Sequence, residues 1–114
     1  MNKNKSIVIT GASSGLGKCL HKSFSENYNI INISRSISGS KYNILVNLRD
    51  LSDLKQKLKM KMINHDICIL NAGTMSSIGP ANHISDEEFL EALKINVLST
   101  KIIIDWCSLT GCKY

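Results

Sequence analysis

The fold of this chain is decided by the stretch Ile7-Val8-Ile9-Thr10-Gly11-Ala12-Ser13-Ser14-Gly15-Leu16-Gly17. An apolar, β-branched run ends in a glycine-rich turn, and the turn leads directly into a helical pattern. This order predicts the first strand, turn and helix of a βαβ unit that binds a dinucleotide. Gly11 permits a tight turn, Gly15 lets a ligand approach the backbone, and Gly17 lets the helix lie close to the strand.

The helix that follows the turn adds an electrostatic reason for a phosphate site. Its first N–H groups have no partners within the helix and carry the positive end of the helix dipole, so they favour an anion. A glycine-rich loop that merely joins a strand to a helix is the alternative interpretation of this stretch. A second glycine motif, Asn71-Ala72-Gly73, follows a later apolar run and favours the ligand site.

The spacing Thr-Gly-x-x-x-Gly-x-Gly, together with Asn71-Ala72-Gly73, resembles the short-chain dehydrogenase/reductase family. The resemblance implies an α/β fold, a Rossmann-like doubly wound parallel sheet truncated after four strands in the order 3-2-1-4. It also implies an NAD(P)-dependent oxidoreductase that transfers hydride between a carbonyl and an alcohol. We expect residues 1–114 to form a single NAD(P)-binding domain that is incomplete relative to the family.

The apolar runs predict strands over 6–10, 29–34, 42–47 and 66–71. In the first helix, Leu16, Cys19, Leu20 and Phe24 are expected to face the sheet. A second helix is expected from Asp50 to Ile63, with its buried face formed by Leu51, Leu54, Leu58 and Met62. Ser85 and Glu88 form a capping box that starts a helical region reaching Leu109, bent near Lys94-Ile95-Asn96. A loop over 74–84 is long enough to border a ligand cleft.

The cofactor preference is predicted from the end of the second strand, where Ser34 and Arg35 stand and no acidic residue is nearby. An acidic side chain there would bind the ribose hydroxyl of NAD, whereas an arginine suits the 2′-phosphate of NADP. NADP(H) is therefore favoured over NAD(H). Asn47-Leu48 resembles the family segment that contacts adenine. The predicted cofactor-binding residues are Thr10, Gly11, Ser13, Ser14, Gly15, Leu16, Gly17, Ser34, Arg35, Asn47, Leu48, Asn71, Ala72 and Gly73.

The resemblance assigns one residue to catalysis. Asn96 matches the asparagine that helps to hold a water in the family's proton relay. The family's catalytic serine and Tyr-x-x-x-Lys pair have no counterpart, since none of the tyrosines at 28, 42 and 114 has a lysine four residues later. Because a developing alkoxide needs a proton donor, we expect this chain alone to turn over at background rate.

Two features predict self-association. The residues of the last helix are apolar on two sides, with Ile95, Leu98, Ile102, Trp106 and Leu109 on one face and Val97, Ile103, Ile104 and Cys107 on the other. The strand over 66–71 is expected to lie at an unpaired sheet edge. A homo-oligomer through the 95–109 helix or this strand is therefore expected. The alternative function is a non-catalytic dinucleotide-binding or interaction module that dimerises through the same helix.

Composition limits the other possibilities. The 114 residues are enough for one domain, and no apolar run approaches the ~20 residues that cross a bilayer. We expect a cytoplasmic protein that binds no membrane. The net charge of +5 comes partly from lysines scattered around the second helix without interleaved aromatics, so no nucleic-acid partner is expected. Cys19, Cys68, Cys107 and Cys112 show no metal-ligand spacing, and buried free thiols are expected in preference to a disulfide framework or a metal site.

Overall fold

The computed structural model describes residues 3–36, 39–40, 42–73 and 80–114. Four strands form one sheet with the order β3-β2-β1-β4, in which every neighbouring pair is parallel. This is the predicted α/β architecture. The strands are β1 (Ser6–Thr10), β2 (Asn29–Ser34), β3 (Tyr42–Leu45) and β4 (Ile67–Ile69).

A helix follows β1 and another follows β3, whereas the described residues between β2 and β3 form no helix. The helices that follow the glycine turn and β3 are α1 (Gly15–Phe24) and α2 (Leu51–Met60). A short 3-10 turn, Ala81–His83, precedes α3 (Asp86–Leu93), a π-helical segment, Lys94–Leu98, and α4 (Ser99–Leu109). The predicted interruption of this last helical region is therefore a π segment. Residues 74–79 of the predicted cleft loop lie outside the described part of the chain.

Alternating side chains of the strands supply two hydrophobic layers. Ile7 and Ile9 pack on the face that α1 covers, with Leu20 and Phe24 of that helix beside them. Val8 points to the other face, which α2 and α4 cover. Successive residues of a strand point to opposite faces of the sheet. Because helices cover both faces here, apolar side chains are expected at consecutive positions of each central strand.

The face that α1 presents to the sheet differs from the prediction. Leu16 is 67% exposed and Cys19 is exposed as well, so the expectation of a buried thiol at Cys19 is wrong. The contact position belongs to Gly17, which is buried, and the stripe continues through Leu20 and Phe24. An apolar periodicity does not count a glycine, and it therefore assigns Leu16 instead of Gly17 to the buried face of the helix.

The second helix is shorter than predicted. It ends at Met60, because Lys61 leaves the helical region with φ −118° and ψ 67°. Met62 therefore lies beyond the helix and is half exposed, whereas Leu54 and Leu58 are buried as predicted. At its start Asp50 caps the helix by accepting a hydrogen bond from the N–H of Asp53 at 3.0 Å.

The two apolar faces predicted for α4 are also mixed in the structure. The side that packs on the sheet contains the polar Ser99 and Thr110, whose hydroxyls donate to the helix carbonyls of Ile95 and Trp106. Because these hydrogen bonds satisfy the two hydroxyl groups, the side chains are buried among apolar neighbours. The described residues of this side are Ile95, Ser99, Ile103, Trp106, Cys107 and Thr110. The apolar side chains left exposed are Val97, Leu98, Ile104 and Leu109.

The outer edge of β4 is partly paired, which corrects the expectation of a bare edge over 66–71. The N–H of Cys68 donates to the carbonyl of Tyr114 at 2.8 Å, and the N–H of Lys113 donates to the carbonyl of Asp66 at 2.9 Å. The last residues thus lie alongside β4 and cover backbone groups that would otherwise accept another strand. We therefore discard the strand as a surface for self-association.

Candidate functional site

A cleft of about 580 Å³ lies at the carboxyl ends of the strands. Because the strands are parallel, their carboxyl ends and the loops that follow them meet at one edge of the sheet, which is where open α/β sheets bind ligands. The cleft is bordered by the loops after β1, β2, β3 and β4. The described residues that line it are Gly11, Ser13, Ser14, Leu16, Ile33, Ser34, Arg35, Ser36, Val46, Asn47, Leu48, Arg49, Asn71, Ala72, Gly73 and Ile95.

The glycine turn brings α1 against the end of β1. Gly11 has φ +75°, and its N–H donates to the carbonyl of Ile33 at 2.9 Å. A Cβ placed on Gly17 would lie 2.0 Å from the carbonyl oxygen of Gly11, so only glycine fits there. Gly15 has φ +54°, and a Cβ there would meet nothing within 4 Å. The turn is therefore tight on its protein side and open on the side that a ligand would occupy.

The amino end of α1 lacks the side-chain cap that most helices carry. Ser14 stands at the N-cap with extended backbone, but its side chain makes no capping hydrogen bond, and the first turn holds no acidic residue. The helix N-termini of α2 and α3, by contrast, are capped by Asp50 and Ser85. The first N–H groups of α1 are thus arranged to receive an external acceptor, and an anion suits them best.

Thr10 and Asn71 join the ends of β1 and β4. The hydroxyl oxygen of Thr10 accepts hydrogen bonds from the N–H groups of Asn71, at 2.9 Å, and Ala72, at 2.8 Å. The side-chain amide of Asn71 donates to the carbonyl of Thr10 at 3.1 Å. These three hydrogen bonds connect the end of β1 to the loop after β4 at the edge of the cleft.

Asn96 lies beside the second glycine motif. It belongs to the π segment and is exposed, and a Cβ built on Gly73 would lie 3.2 Å from its side-chain oxygen. The glycine therefore permits the close approach of the helical segment to the loop after β4. The resemblance assigned a relay role to Asn96, and the structure brings this residue to the cleft edge.

Asn32 organises the part of the cleft next to the end of β2, and the sequence analysis missed it. It is fully buried in β2, where its side-chain oxygen accepts the N–H of Ala12 at 3.1 Å. Its amide nitrogen lies within 3.0 Å of the hydroxyl of Ser34, the carbonyl of Ser36 and the side-chain oxygen of Asn43. One side chain thus connects the glycine turn to the loop after β2. A polar residue inside an apolar strand was the signal that could have revealed it.

Ser34 is less available to a ligand than the sequence suggested. Its hydroxyl donates to the carbonyl of Ser36 at 2.6 Å and accepts the amide of Asn32 at 2.9 Å. Its role is therefore to shape the loop that carries Arg35. Asn47 is engaged in a similar way, since its side-chain oxygen accepts the N–H of Arg49 at 3.0 Å.

Two arginines border this end of the cleft. Arg35 is exposed at the cleft wall, and Arg49 also lines the cleft, with its side chain 3.9 Å from the carboxylate of Glu91. No carboxylate occurs among the described residues of the lining. The two guanidinium groups make this end of the cleft positive, although Glu91 offsets part of the charge of Arg49.

Most of the residues predicted to bind the cofactor come together in this cleft. Thr10, Gly15 and Gly17 are outside its lining, and the other predicted residues line it. Sequence reasoning missed five lining residues. Three are apolar ends of strands or helices, which carry no chemical signature, and Arg49 was overlooked beside Asn47. The missed residues are Ile33, Ser36, Val46, Arg49 and Ile95.

The solved structures that this chain resembles include several short-chain dehydrogenases/reductases. A short chain dehydrogenase family protein from Francisella tularensis superposes with a TM-score of 0.82 at 25% identity, covering 93% of this chain and 46% of its own. The fold is that of the short-chain dehydrogenases/reductases. This confirms the resemblance, and the chain spans about half the length of the structures it matches. No protein-family model and no curated protein matches the sequence.

Two further solved structures that resemble this chain contain a nicotinamide dinucleotide. One is a 3-ketoacyl-(acyl-carrier-protein) reductase from Brucella melitensis complexed with NADH, with a TM-score of 0.80, 20% identity and coverage of 92% of this chain and 49% of its own. The other is a short chain dehydrogenase from Leptospira borgpetersenii with bound NAD⁺, with a TM-score of 0.73, 23% identity and coverage of 91% and 44%. Both show the same fold as this chain.

None of the described helices combines the length and the apolar character that a membrane crossing demands.

Proposed function

We propose that this chain is a single dinucleotide-binding domain and that it binds NADP(H) in the cleft at the carboxyl ends of its strands. The observation that carries the proposal is the uncapped start of α1 above the open glycine turn. There the backbone N–H groups would bind the pyrophosphate, with Gly15 leaving room for it. The loop after β4, held by the bonds between Thr10 and Asn71, would lie along the adenosine.

The preference for NADP(H) over NAD(H) is supported by charge. Arg35 follows β2 directly and lines the cleft, Arg49 adds a second guanidinium, and no described lining residue is acidic. A guanidinium binds a phosphate through charge-assisted, bidentate hydrogen bonds. A ribose hydroxyl would instead be bound best by a carboxylate at this position.

The reaction that we propose is hydride transfer between the nicotinamide and a carbonyl or alcohol. The support is the fold shared with dehydrogenases and reductases and the position of Asn96 beside Gly73. The cofactor supplies the hydride when bound, and Asn96 would hold a water near the reacting oxygen. The 114 residues hold no Tyr-x-x-x-Lys pair, so the proton donor would come from other residues and this chain alone would bind the cofactor without turning it over.

The experiment that tests this proposal is a calorimetric titration of the chain with NADPH and with NADH. We expect NADPH to bind more tightly, and Arg35→Ala to lose affinity for NADPH only. A hydrogen-bonded charged pair contributes ~1.5–3 kcal/mol. Since Arg35 is exposed, we take the lower value, which corresponds to a loss of roughly tenfold.

The matched control is Lys59→Ala, which removes an exposed positive charge from α2, outside the cleft lining. It should leave both affinities unchanged. An equal loss for both nucleotides in Arg35→Ala would contradict the assignment of Arg35 to the 2′-phosphate. Equal binding of NADH and NADPH by the unmodified chain would contradict the preference itself.

Self-association is the second candidate property, with or without catalysis. The exposed side of the last helical region carries four apolar side chains, Val97, Leu98, Ile104 and Leu109, each at least 46% exposed. Apolar surface of this kind on a helix is typical of a contact with another helix. We propose that a second copy of the chain covers it, and that the interface uses this side of the 95–109 helix.

A further inference from the structure

A cluster of thiols and one imidazole lies at the opposite end of the sheet from the cleft. His65 precedes β4, Cys68 lies within it, and Cys107 and Cys112 stand at the far end of α4. The potential metal-binding atoms of His65, Cys107 and Cys112 all lie within 4.8 Å of one another. Cys68 joins the cluster through a side-chain hydrogen bond with Cys107. The cluster joins two short segments, residues 65–68 and 107–112, that are far apart in sequence, so no local spacing predicts that they meet.

His65 is held in one orientation inside this cluster. It is 3% exposed, and its ring stacks on Trp106 with the ring centres 4.8 Å apart. Its Nδ1 lies 3.0 Å from the carbonyl of Ile63, which can only accept a hydrogen bond, so Nδ1 carries a proton. The other nitrogen, Nε2, lies 3.4 Å from the Sγ of Cys107. Histidines that bind metals are oriented in the same way, with one ring N–H donated to a carbonyl.

Within the set of His65, Cys107 and Cys112, the 3.4 Å between the histidine nitrogen and the Cys107 sulfur and the 4.8 Å that encloses all three atoms fit a tetrahedral zinc site. With Zn–N of ~2.0 Å and Zn–S of ~2.3 Å, a nitrogen and a sulfur on the same ion lie roughly 3.5 Å apart and two sulfurs roughly 3.8 Å apart. We propose that His65, Cys107, Cys112 and Cys68 bind one Zn²⁺ ion. Three thiolates and a histidine are a donor set typical of structural zinc.

The position of the cluster predicts what the ion would do. It would tie the start of β4 to the end of α4 and to the residues that pair with β4, all remote from the nucleotide cleft. The metal would thus stabilise the fold without changing the affinity for a dinucleotide. This inference is independent of the proposed function, because it concerns another end of the sheet.

The test is a titration of the reduced chain, kept in a phosphine reductant and freed of metal by a chelator, with Zn²⁺ and with Co²⁺. We expect one equivalent of either ion to bind and to raise the melting temperature. The cobalt form should show the intense visible bands of tetrahedral coordination and a near-ultraviolet charge-transfer band that reports thiolate ligands. The affinity of the chain for NADPH should be the same with and without Zn²⁺.

Single substitutions identify the ligands. Cys68→Ser, Cys107→Ser and Cys112→Ser should each weaken Zn²⁺ binding by at least the roughly 10–100-fold that loss of an outer hydrogen-bonding partner costs a metal site. Cys19→Ser is the matched control, because Cys19 is exposed on α1 and outside the cluster; it should change nothing. Loss of binding in Cys19→Ser, or an octahedral cobalt spectrum in the unmodified chain, would overturn the proposal. The cobalt spectrum decides the matter even if a cysteine variant fails to fold.

Discussion

Replacing Gly17 with alanine is the sharpest test of how the glycine turn is built. The added Cβ would lie 2.0 Å from the carbonyl oxygen of Gly11 and 2.6 Å from the side-chain nitrogen of Asn71. The first contact is with backbone, which cannot rotate away as a side chain does. Helix α1 must therefore move outward, and the bond from Asn71 to Thr10 must lengthen or break.

The expected size of the effect follows from two opposing contributions. Forcing an extra carbon into a packed site costs ~1–3 kcal/mol, and a contact with backbone belongs at the upper end. Alanine in a helix gains ~1 kcal/mol over glycine. The net loss in the free energy of unfolding is then ~2 kcal/mol, which corresponds to a fall in melting temperature of roughly 10 °C for a chain of this size.

Circular dichroism during heating measures the stability, and calorimetry with NADPH measures the binding. We expect Gly17→Ala to lose both. The control is Ser23→Ala, an exposed position of the same helix, which should raise the melting temperature slightly because alanine is the better helix former. Unchanged stability and affinity in Gly17→Ala would refute the close approach of α1 to the turn.

Two further predictions concern other parts of the molecule. Asn32→Ala removes the hydrogen bonds to Ala12, Ser34, Ser36 and Asn43. Since each buried polar group left unpaired costs ~1–3 kcal/mol, we expect the free energy of unfolding, measured with denaturant, to fall by ~3 kcal/mol and NADPH to bind more weakly. A loss of stability no greater than that of Asn43→Ala would contradict the central role of Asn32. Ile104→Lys places a charge on the exposed side of α4, where Ile104 is 50% exposed, and should convert a dimer into a monomer in sedimentation. Met60→Lys, at an 80% exposed position of α2, should not, and a chain that sediments as a monomer before any substitution would refute the proposed contact.

The sequence was sufficient for the architecture because the strands and turns carry strong local signals. The apolar run over 6–10 and the glycine turn predicted the first strand and helix, and the family resemblance that the two glycine motifs carry implied the parallel sheet and the strand order that the structure has. The capping residue Ser85 and the interruption near residue 95 were also predicted, and the structure has a cap at Ser85 and a π segment over Lys94–Leu98. Each of these features depends on neighbours in sequence.

The errors arose where packing was decided by residues that an apolar count ignores. Gly17 buries a helix face without a side chain, and Ser99 and Thr110 are buried because their hydroxyls bond to the helix itself. The pairing of β4 with Lys113 and Tyr114 joins segments more than forty residues apart. No local sequence pattern predicts such contacts.

The same limitation affected the two sites differently. The residues of the cleft follow strand ends, and parallel strands end at one edge, so their convergence could be predicted. The cluster of His65 and the three cysteines depends on where α4 ends relative to β4. That relation becomes visible only in three dimensions.

The most direct test of the central claim is to locate the bound nucleotide. Amide NMR spectra of the ¹⁵N-labelled chain, recorded during a titration with NADPH, report which backbone groups change. We predict saturable shifts at residues 11–17, 33–36, 46–49 and 71–73, with the largest at the start of α1. Shifts that concentrate elsewhere, or that never saturate, would contradict the assignment of this cleft as a dinucleotide site.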